Sequence, residues 1–363
     1  MKRIIVTGGA GFIGCNTTAR LMGEGWRVLV IDDLSRRGTE TNLAWLETQG
    51  GFDFEQVSLT DAAATARTVS QFGEVAGVIH LAGQVAVTTS LVNPRDDFER
   101  NAFATLNVLE AIRATGRKPP VIFASTNKVY GGLENVELAE RETRWECTSH
   151  PSGIDETVPL DFHTPYGCSK GAADQLVHDY ARCYGIPSAV LRQSCILGRR
   201  QFGVEDQGWV AWFLIAALLG RPVTVYGDGK QVRDLLWVDD LVDLYLRLVA
   251  KGSALGAAVY NVGGSAAQTL SLRELIDMIG RLQGEPFAHA FGEPRQGDQR
   301  WFVADTARVT AETGWQPSTG VETAIRTLWD WVGENRLAIE TTLAAAGESA
   351  KTGRGAMERG AAG

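Results

Sequence analysis

Short apolar runs alternate with longer amphipathic segments along the first half of the chain. The longer segments carry apolar residues at helical spacing and predict helices over residues 13–24, 94–115 and 169–184. The short runs are apolar almost throughout, which is typical of strands buried on both faces, and they cover residues 3–7, 27–32, 77–81, 121–125 and 188–193. This alternation predicts an α/β fold built on a doubly wound parallel sheet.

The pattern changes after residue 193, where loops rich in Gly, Arg and Trp surround a predicted helix at 209–219. We expect two domains, a larger one of residues 1–193 plus about 236–263 and a smaller α+β one of about 194–235 plus 264–336. Residues 131–165 form a polar stretch longer than a plain connection, so we expect a functional or disordered loop. Residues 337–363 are rich in Ala and Gly with scattered charges, which predicts a disordered tail.

Charge and cysteine content narrow the possible partners. The 363 residues include 35 basic and 43 acidic side chains, and a net charge of −8 without a basic block argues against binding nucleic acid or an anionic membrane. No apolar run approaches the roughly 18 residues of a spanning helix. The 5 cysteines include no C-x-x-C pair, so we expect no disulfide framework, no metal site and a reducing, cytoplasmic location.

A glycine-rich turn follows the first predicted strand and opens the first predicted helix. Gly8, Gly11 and Gly14 permit a tight turn whose backbone N–H groups can approach a pyrophosphate at the helix N-terminus. Asp32 ends the second predicted strand, where a carboxylate binds an adenosine ribose and repels a 2′-phosphate, so the pattern favours NAD over NADP. Arg36 and Arg37 follow closely and temper that preference, unless both are simply exposed.

Tyr166 and Lys170 stand four residues apart on a predicted helix and therefore share one face. A lysine ammonium beside a phenol stabilises the phenolate, and we expect it to lower the pKa of Tyr166 toward neutrality. Such a tyrosine can take a proton from an alcohol while a hydride leaves the same carbon. The pair therefore predicts alcohol–ketone chemistry with a nicotinamide cofactor.

Further motifs follow in order along the chain: VIHLAG at 78–83, Asn101, VYG at 129–131, YGDGK at 226–230, RD at 233–234, VDD at 238–240, YNVG at 260–263 and RQGD at 295–298. With the glycine turn and the Tyr–Lys pair, this set resembles the extended short-chain dehydrogenase/reductase family, the NAD-dependent epimerases and dehydratases, up to about residue 335. The resemblance implies a Rossmann domain, NAD, a nucleotide-diphosphate sugar as substrate, and a homo-oligomer, either a dimer or a tetramer.

The same resemblance implies roles for individual residues. Its catalytic positions fall on Thr126, Tyr166 and Lys170. Its cofactor-binding positions, besides Tyr166 and Lys170, are Gly8, Gly11, Phe12, Ile13, Gly14, Asp32, Asp33, Ser58, Leu59, Leu81, Ala82, Gly83 and Asn101. Its substrate-binding positions are Gln84, Asn127, Lys128, Cys195, Arg200, Gln201, Arg233 and Arg295. Arg233 and Arg295 fall where the family grips the substrate diphosphate, whereas Lys128 could equally be a surface lysine bonded to a nearby loop.

Two residues discriminate among the reactions of the family. Its 4,6-dehydratases carry an Asp-Glu pair directly after the catalytic Thr, where this chain has Asn127 and Lys128, and neither can act as a carboxylic acid. Residues 124–131, 160–175 and 199–210 resemble the branch that inverts C2 of a CDP-linked deoxyhexose through a 2-keto sugar, with NAD recycled in each turnover. The alternative is a 4-epimerase or another NAD-dependent nucleotide-sugar oxidoreductase, because the residues alone fix neither the nucleobase nor the reacting carbon.

Overall fold

Parallel strands run through the centre of the molecule. In the computed structural model, which describes residues 1–295 and 297–344, the strands are β1 (Arg3–Thr7), β2 (Arg27–Asp32), β3 (Asp53–Gln56), β4 (Val78–His80), β5 (Val121–Thr126), β6 (Leu138–Glu140), β7 (Trp145–Cys147), β8 (Ser188–Gln193), β9 (Cys195–Leu197), β10 (Val223–Tyr226), β11 (Val232–Trp237), β12 (Ala257–Val262), β13 (Thr269–Ser271), β14 (His289–Gly292) and β15 (Trp301–Phe302). The helices are α1 (Phe12–Gly23), α2 (Thr39–Gln49), α3 (Ala62–Phe72), α4 (Val87–Val92), α5 (Pro94–Phe98), α6 (Ala104–Ala114), α7 (Thr164–Tyr184), α8 (Trp209–Leu218), α9 (Val238–Lys251), α10 (Leu272–Gln283), α11 (Ala307–Thr313) and α12 (Val321–Glu334). None of the helices in those two described ranges is long and apolar enough to cross a membrane.

Seven strands form the central sheet in the order β3-β2-β1-β4-β5-β8-β12, and every neighbouring pair is parallel. One face is covered by α1 and α9, whose Leu21 and Leu244 share an apolar core with Val6. The other face is covered by α6 and α7, whose Leu109 and Val177 pack with β1 and β5. The predicted doubly wound parallel sheet is therefore confirmed, and its strand order reverses between β1 and β4, where such sheets leave a crevice.

Most predicted elements of the first half are present, with shifted ends. The strands β1, β2 and β8 begin and end where the apolar runs predict. The predicted helix 94–115 is divided into α5 and α6 by a π-helical turn, Glu99–Phe103. The predicted helix 169–184 begins earlier, at Thr164, so Tyr166 lies in the first turn of α7. The sequence pattern does not predict α2, β3 or α3. The strand β3 is short, lies at the edge of the sheet and exposes Glu55 and Gln56, so it lacks the apolar run of a buried strand.

A second set of strands is organised around β11. This strand pairs in parallel with β9 and β15 and antiparallel with β13, while β10 pairs with β14. The helices α8, α10 and α12 pack beside it around Leu214, Leu275 and Leu328. Cys195, the first residue of β9, pairs with Leu235 of β11, so β11 lies beside a strand that begins close to the end of β8.

The long segment 131–165 is ordered against this second set of strands. It contains the antiparallel hairpin β6–β7. The Trp145 backbone N–H donates to the Lys230 carbonyl at 2.9 Å. The Arg144 Nε donates to the Glu274 carboxylate at 2.7 Å. The segment therefore packs against this second set of strands and against α10.

Residues 336–344 form a further helix after α12. Its Ile339 is 1% exposed and, together with Leu343, joins the core that contains Trp331. The prediction of a disordered tail is wrong for residues 337–344, because two apolar side chains four residues apart give this helix a buried face. The Thr342 hydroxyl lies 3.4 Å from the Thr41 hydroxyl on α2. Residues 345–363 of the predicted tail lie outside the described residues.

Candidate active site

A cleft of about 710 Å³ opens at the carboxyl ends of β1, β2, β4 and β5. Most predicted site residues line it: Gly8, Gly11, Phe12, Ile13, Gly14, Asp32, Asp33, Ser58, Leu59, Leu81, Ala82, Gly83, Gln84, Thr126, Tyr166, Lys170, Cys195, Arg200 and Gln201. The predicted residues that lie outside this lining are Asn101, Asn127, Lys128, Arg233 and Arg295. The cleft thus brings the glycine turn, Asp32 and the Tyr–Lys pair together.

The glycine turn packs so closely on the neighbouring backbone that two of its glycines have no room for a side chain. Gly8 has φ +67°, and a Cβ there would lie 2.7 Å from the Ala82 backbone nitrogen. A Cβ on Gly14 would collide with the Gly8 carbonyl oxygen. Gly11 precedes α1 and provides no side-chain cap, so the first N–H groups of the helix remain available to an anion.

Asp32 holds its carboxylate at the end of β2 through two backbone donors. The Ala10 N–H donates to Oδ2 at 3.1 Å, and the Leu34 N–H donates to Oδ1 at 2.9 Å. Burial raises the pKa of Asp32, and these two hydrogen bonds oppose that shift. Arg36 and Arg37 also line the cleft, and Arg36 donates to the Gln207 side chain on the opposite wall.

Tyr166, Lys170 and Thr126 meet at the inner end of the cleft. Tyr166 is 7% exposed, and burial raises its pKa to about 12, although a hydrogen bond with Thr126 opposes this. Burial lowers the pKa of Lys170 to about 8. The Lys170 ammonium donates to the Ala124 carbonyl at 2.7 Å. The sequence predicts a fall of the Tyr166 pKa toward neutrality, whereas burial, the largest cause, raises it.

Asn101 lies beneath the cleft rather than on its surface. It belongs to the π-helical turn between α5 and α6, and its Nδ2 donates to the Ser169 hydroxyl at 3.0 Å. Its buried Oδ1 has no hydrogen-bond partner among residues 1–295 and 297–344, and a Cβ on Gly83 would lie 2.7 Å from it. Asn101 therefore supports the floor formed by Gly83 and α7.

The remaining predicted substrate residues form bonds within the protein. The Gln84 side chain donates to Asp97 at 2.7 Å, and Asn127 donates to Gln299 at 3.0 Å. Asp97 and Gln299 carry no motif that points to them, so sequence reasoning misses both. Arg295 forms an ion pair of 3.1 Å with Asp206.

The ammonium of Lys128 points toward the loop that precedes β15. Its Nζ donates to the Gly297 carbonyl at 3.0 Å and lies 3.7 Å from the Asp298 carboxylate. Arg233 binds the same carboxylate at 2.8 Å. Asp298 is thus the common partner of two predicted substrate residues.

Such a cleft is characteristic of enzymes that move a hydride between a bound dinucleotide and an alcohol carbon. Within that class, the chain belongs to the NAD dependent epimerase/dehydratase family, whose sequence model matches residues 4–263. The chain is 40% identical to CDP-paratose 2-epimerase from Salmonella typhi over 334 residues, which make up 91% of this chain and 98% of that protein.

Two solved structures show the same fold. UDP-glucose 4-epimerase from Thermotoga maritima, solved with UDP-glucose, is 29% identical with a TM-score of 0.77, over 92% of this chain and 99% of that one. UDP-glucose 4-epimerase from Thermus thermophilus, solved with NAD, is 30% identical with a TM-score of 0.76, over 91% of this chain and 98% of that one.

NAD is the cofactor of this family, and the cleft fits a dinucleotide. The uncapped first turn of α1, which follows the glycine turn directly, suits a pyrophosphate. The Asp32 carboxylate, held at the adjacent strand end, suits a ribose hydroxyl.

Proposed function

We propose that this protein is an NAD-dependent epimerase that inverts C2 of a CDP-linked deoxyhexose, with CDP-paratose as its substrate. The observation that carries the proposal is the 40% identity with CDP-paratose 2-epimerase over nearly the whole length of both chains. The meeting of Thr126, Tyr166 and Lys170 in one cleft supports the redox chemistry that such an inversion needs.

Tyr166 is the acid–base group of this proposal. Bound NAD would supply the hydride acceptor for oxidation of the sugar carbon and, once reduced, the hydride that returns to the other face of the ketone, so the reaction needs no external oxidant. In its phenolate form Tyr166 takes the proton of the C2 hydroxyl and becomes a phenol, and the phenol gives the proton back when the ketone is reduced. Burial favours the neutral phenol, so proton removal needs positive charge nearby, and we assign that role to the Lys170 ammonium, one helical turn along α7.

Thr126 and the glycine turn complete the arrangement. The Thr126 hydroxyl, which bonds Tyr166, orients the substrate hydroxyl. The first turn of α1 would hold the pyrophosphate of NAD and Asp32 the adenosine ribose, and the other cleft-lining residues of the predicted cofactor set would surround them.

The residues after Thr126 favour epimerisation over dehydration. A dehydratase must protonate a leaving hydroxyl, and this requires an acid near the sugar. Asn127 is neutral and bonded to Gln299, and Lys128 is a cation bonded to Gly297. Neither provides a carboxylic acid, so the transient ketone keeps its hydroxyl groups until hydride returns.

The test is to incubate the purified protein with CDP-paratose without added cofactor and to follow the sugar by NMR. We expect inversion at C2, no net NADH absorbance, and no deuterium in the product formed in heavy water, because the hydride returns directly. UDP-glucose and UDP-galactose in parallel samples test the 4-epimerase alternative. Inversion at C4 alone, or NADH that accumulates in proportion to product, overturns the proposal.

A further inference from the structure

Lys128 occupies an unusual position because its backbone and its side chain contact different parts of the molecule. Its backbone N–H donates to the Thr126 hydroxyl at 3.3 Å, which ties the residue to the reacting centre. Its Nζ reaches the loop of the second domain, where the Gly297 carbonyl accepts at 3.0 Å. The ammonium is therefore fixed between Thr126 and the second domain.

Two cations share one carboxylate at this point. Asp298 lies 2.8 Å from Arg233 and 3.7 Å from the Lys128 ammonium, so the cluster keeps an excess of one positive charge. The Lys128 and Arg233 side chains are only 19% and 11% exposed. Burial and the field of Arg233 lower the pKa of Lys128 to about 8, and a further anion beside the pair would relieve that repulsion.

The cluster lies outside the lining of the cleft but next to it, since the Lys128 N–H bonds the cleft-lining Thr126. The field of Arg233 also reaches the Cys195 thiol, which lines the cleft. Gly297 approaches the start of α7 so closely that a Cβ on it would lie 2.6 Å from the Thr164 side chain, two residues before Tyr166. Lys128 thus stands beside the space between Thr126, Tyr166 and the second domain.

The covalent structure of a nucleotide sugar explains why a cation beside Thr126 matters. The diphosphate is attached to C1, and C2 is bonded directly to C1, whereas C4 lies across the sugar ring. An enzyme that holds C2 at its catalytic tyrosine must therefore bring the β-phosphate much closer to Thr126 than an enzyme that holds C4 there. A cation next to Thr126 stabilises that placement, and a carboxylate at the same position would repel it.

We propose that Lys128, together with Arg233, binds the β-phosphate of the substrate beside Thr126 and thereby selects C2 as the reacting carbon. The inference rests on the proposed function, since it explains the choice of carbon within that reaction. Lys128 is a specificity-determining residue in this view. An ammonium has three N–H donors, and among the described residues only the Gly297 carbonyl accepts one of them in a hydrogen bond. A phosphate oxygen can therefore accept another.

The experiment compares the NAD-loaded wild-type protein with Lys128→Gln and Lys128→Arg, with the exposed Lys118→Gln as the matched control. Glutamine keeps a donor for the Gly297 carbonyl but removes the charge, and arginine keeps the charge. Calorimetric titration with CDP and with CMP separates the β-phosphate from the rest of the nucleotide. We expect Lys128→Gln to weaken CDP binding by roughly tenfold or more and to leave CMP binding unchanged, with Lys128→Arg close to the wild type.

The same variants are then assayed with CDP-paratose, and the products are resolved by NMR. We expect Lys128→Gln to lower kcat/KM through KM and to raise the share of C4-inverted product, while Lys118→Gln matches the wild type. Wild-type protein that leaves CDP-paratose unchanged overturns the proposed function. Active wild-type protein with a Lys128→Gln variant that keeps its CDP affinity and its product ratio overturns the role of Lys128 alone.

Discussion

The Arg192 guanidinium binds the Asp174 carboxylate through two hydrogen bonds in the protein interior, Nε to Oδ2 at 3.0 Å and Nη2 to Oδ1 at 3.1 Å. The two side chains are 6% and 0% exposed. The Ser125 hydroxyl donates to the same carboxylate at 2.7 Å. This ion pair therefore joins β8, the end of β5 that carries Thr126, and the helix that carries Tyr166 and Lys170.

Replacing Arg192 by methionine leaves the Asp174 carboxylate buried without a counter-ion. We expect Arg192→Met to lower the free energy of unfolding by about 3–5 kcal/mol, measured by urea denaturation. The control is Arg27→Met, which removes an exposed ion pair with Asp53 and should leave the unfolding midpoint unchanged. Equal effects of the two substitutions would contradict this account of the interior pair.

Removing the phenol hydroxyl of Tyr166 takes away the proposed acid–base group and changes little else. We expect Tyr166→Phe to lower kcat roughly 10²- to 10⁴-fold while the protein retains its NAD, measured by NMR of the product and by absorbance of the extracted cofactor. Tyr184→Phe, at the exposed end of the same helix, is the matched control and should keep full activity. A Tyr166→Phe variant with unchanged kcat would exclude Tyr166 from proton transfer.

The first helix offers two glycines with opposite surroundings. A Cβ on Gly14 collides with the Gly8 carbonyl oxygen, whereas a Cβ on Gly23 meets nothing within 4 Å. We expect Gly14→Ala to abolish NAD retention and to lower the thermal midpoint. Gly23→Ala should leave NAD retention intact and stabilise the helix by up to about 1 kcal/mol. Loss of NAD from both variants would mean that the helix, and not the turn, limits cofactor binding.

His80 makes the fold sensitive to acid. Burial, and to a smaller extent Lys170, lowers the pKa of His80 to about 3, while its neutral ring contacts the Thr7 and Thr105 hydroxyls at 2.6 and 3.0 Å. The unfolded state binds the proton at about pH 6.5, so the contribution of His80 is full above that pH and is lost as the pH falls toward 3.

We therefore expect the unfolding free energy of the wild type to fall between pH 6.5 and pH 4 more steeply than that of His80→Gln, by up to about 1.4 kcal/mol per pH unit. Urea denaturation at several pH values measures both slopes. The exposed His289→Gln is the control and should keep the wild-type slope. Parallel slopes for the wild type and His80→Gln would show that His80 is not the acid-sensitive group.

Local pattern sufficed to predict the core of the sheet and the cleft. The strands β1 and β2 have continuous apolar interiors. Gly8 and Gly14 lie at the connection from β1 to α1, Asp32 is the last residue of β2, and all three line the cleft. Tyr166 and Lys170 lie on one helix, so their spacing alone places them together. Such features depend on neighbours in sequence, and this is why they can be read from the chain alone.

Features that depend on distant segments could not be predicted. Asp298 pairs with Lys128, and Gln299 with Asn127, through contacts between segments that are far apart in the chain. The direction of the Tyr166 pKa shift also escaped prediction, because it follows from burial and not from its spacing to Lys170. In both cases the long-range packing decides the chemistry.

The helix of residues 336–344 links the end of the described chain to the wall of the cleft. Ile339 belongs to the apolar core on which Phe202 packs, and the Phe202 ring lies edge-on against Trp331 while it also lines the cleft. None of residues 336–344 lines the cleft itself. A protein that ends before residue 336 would therefore lack the helix that packs behind this wall of the dinucleotide pocket. We expect such a shortened protein to retain less cofactor, although the sequence of residues 336–344 alone gives no sign of this.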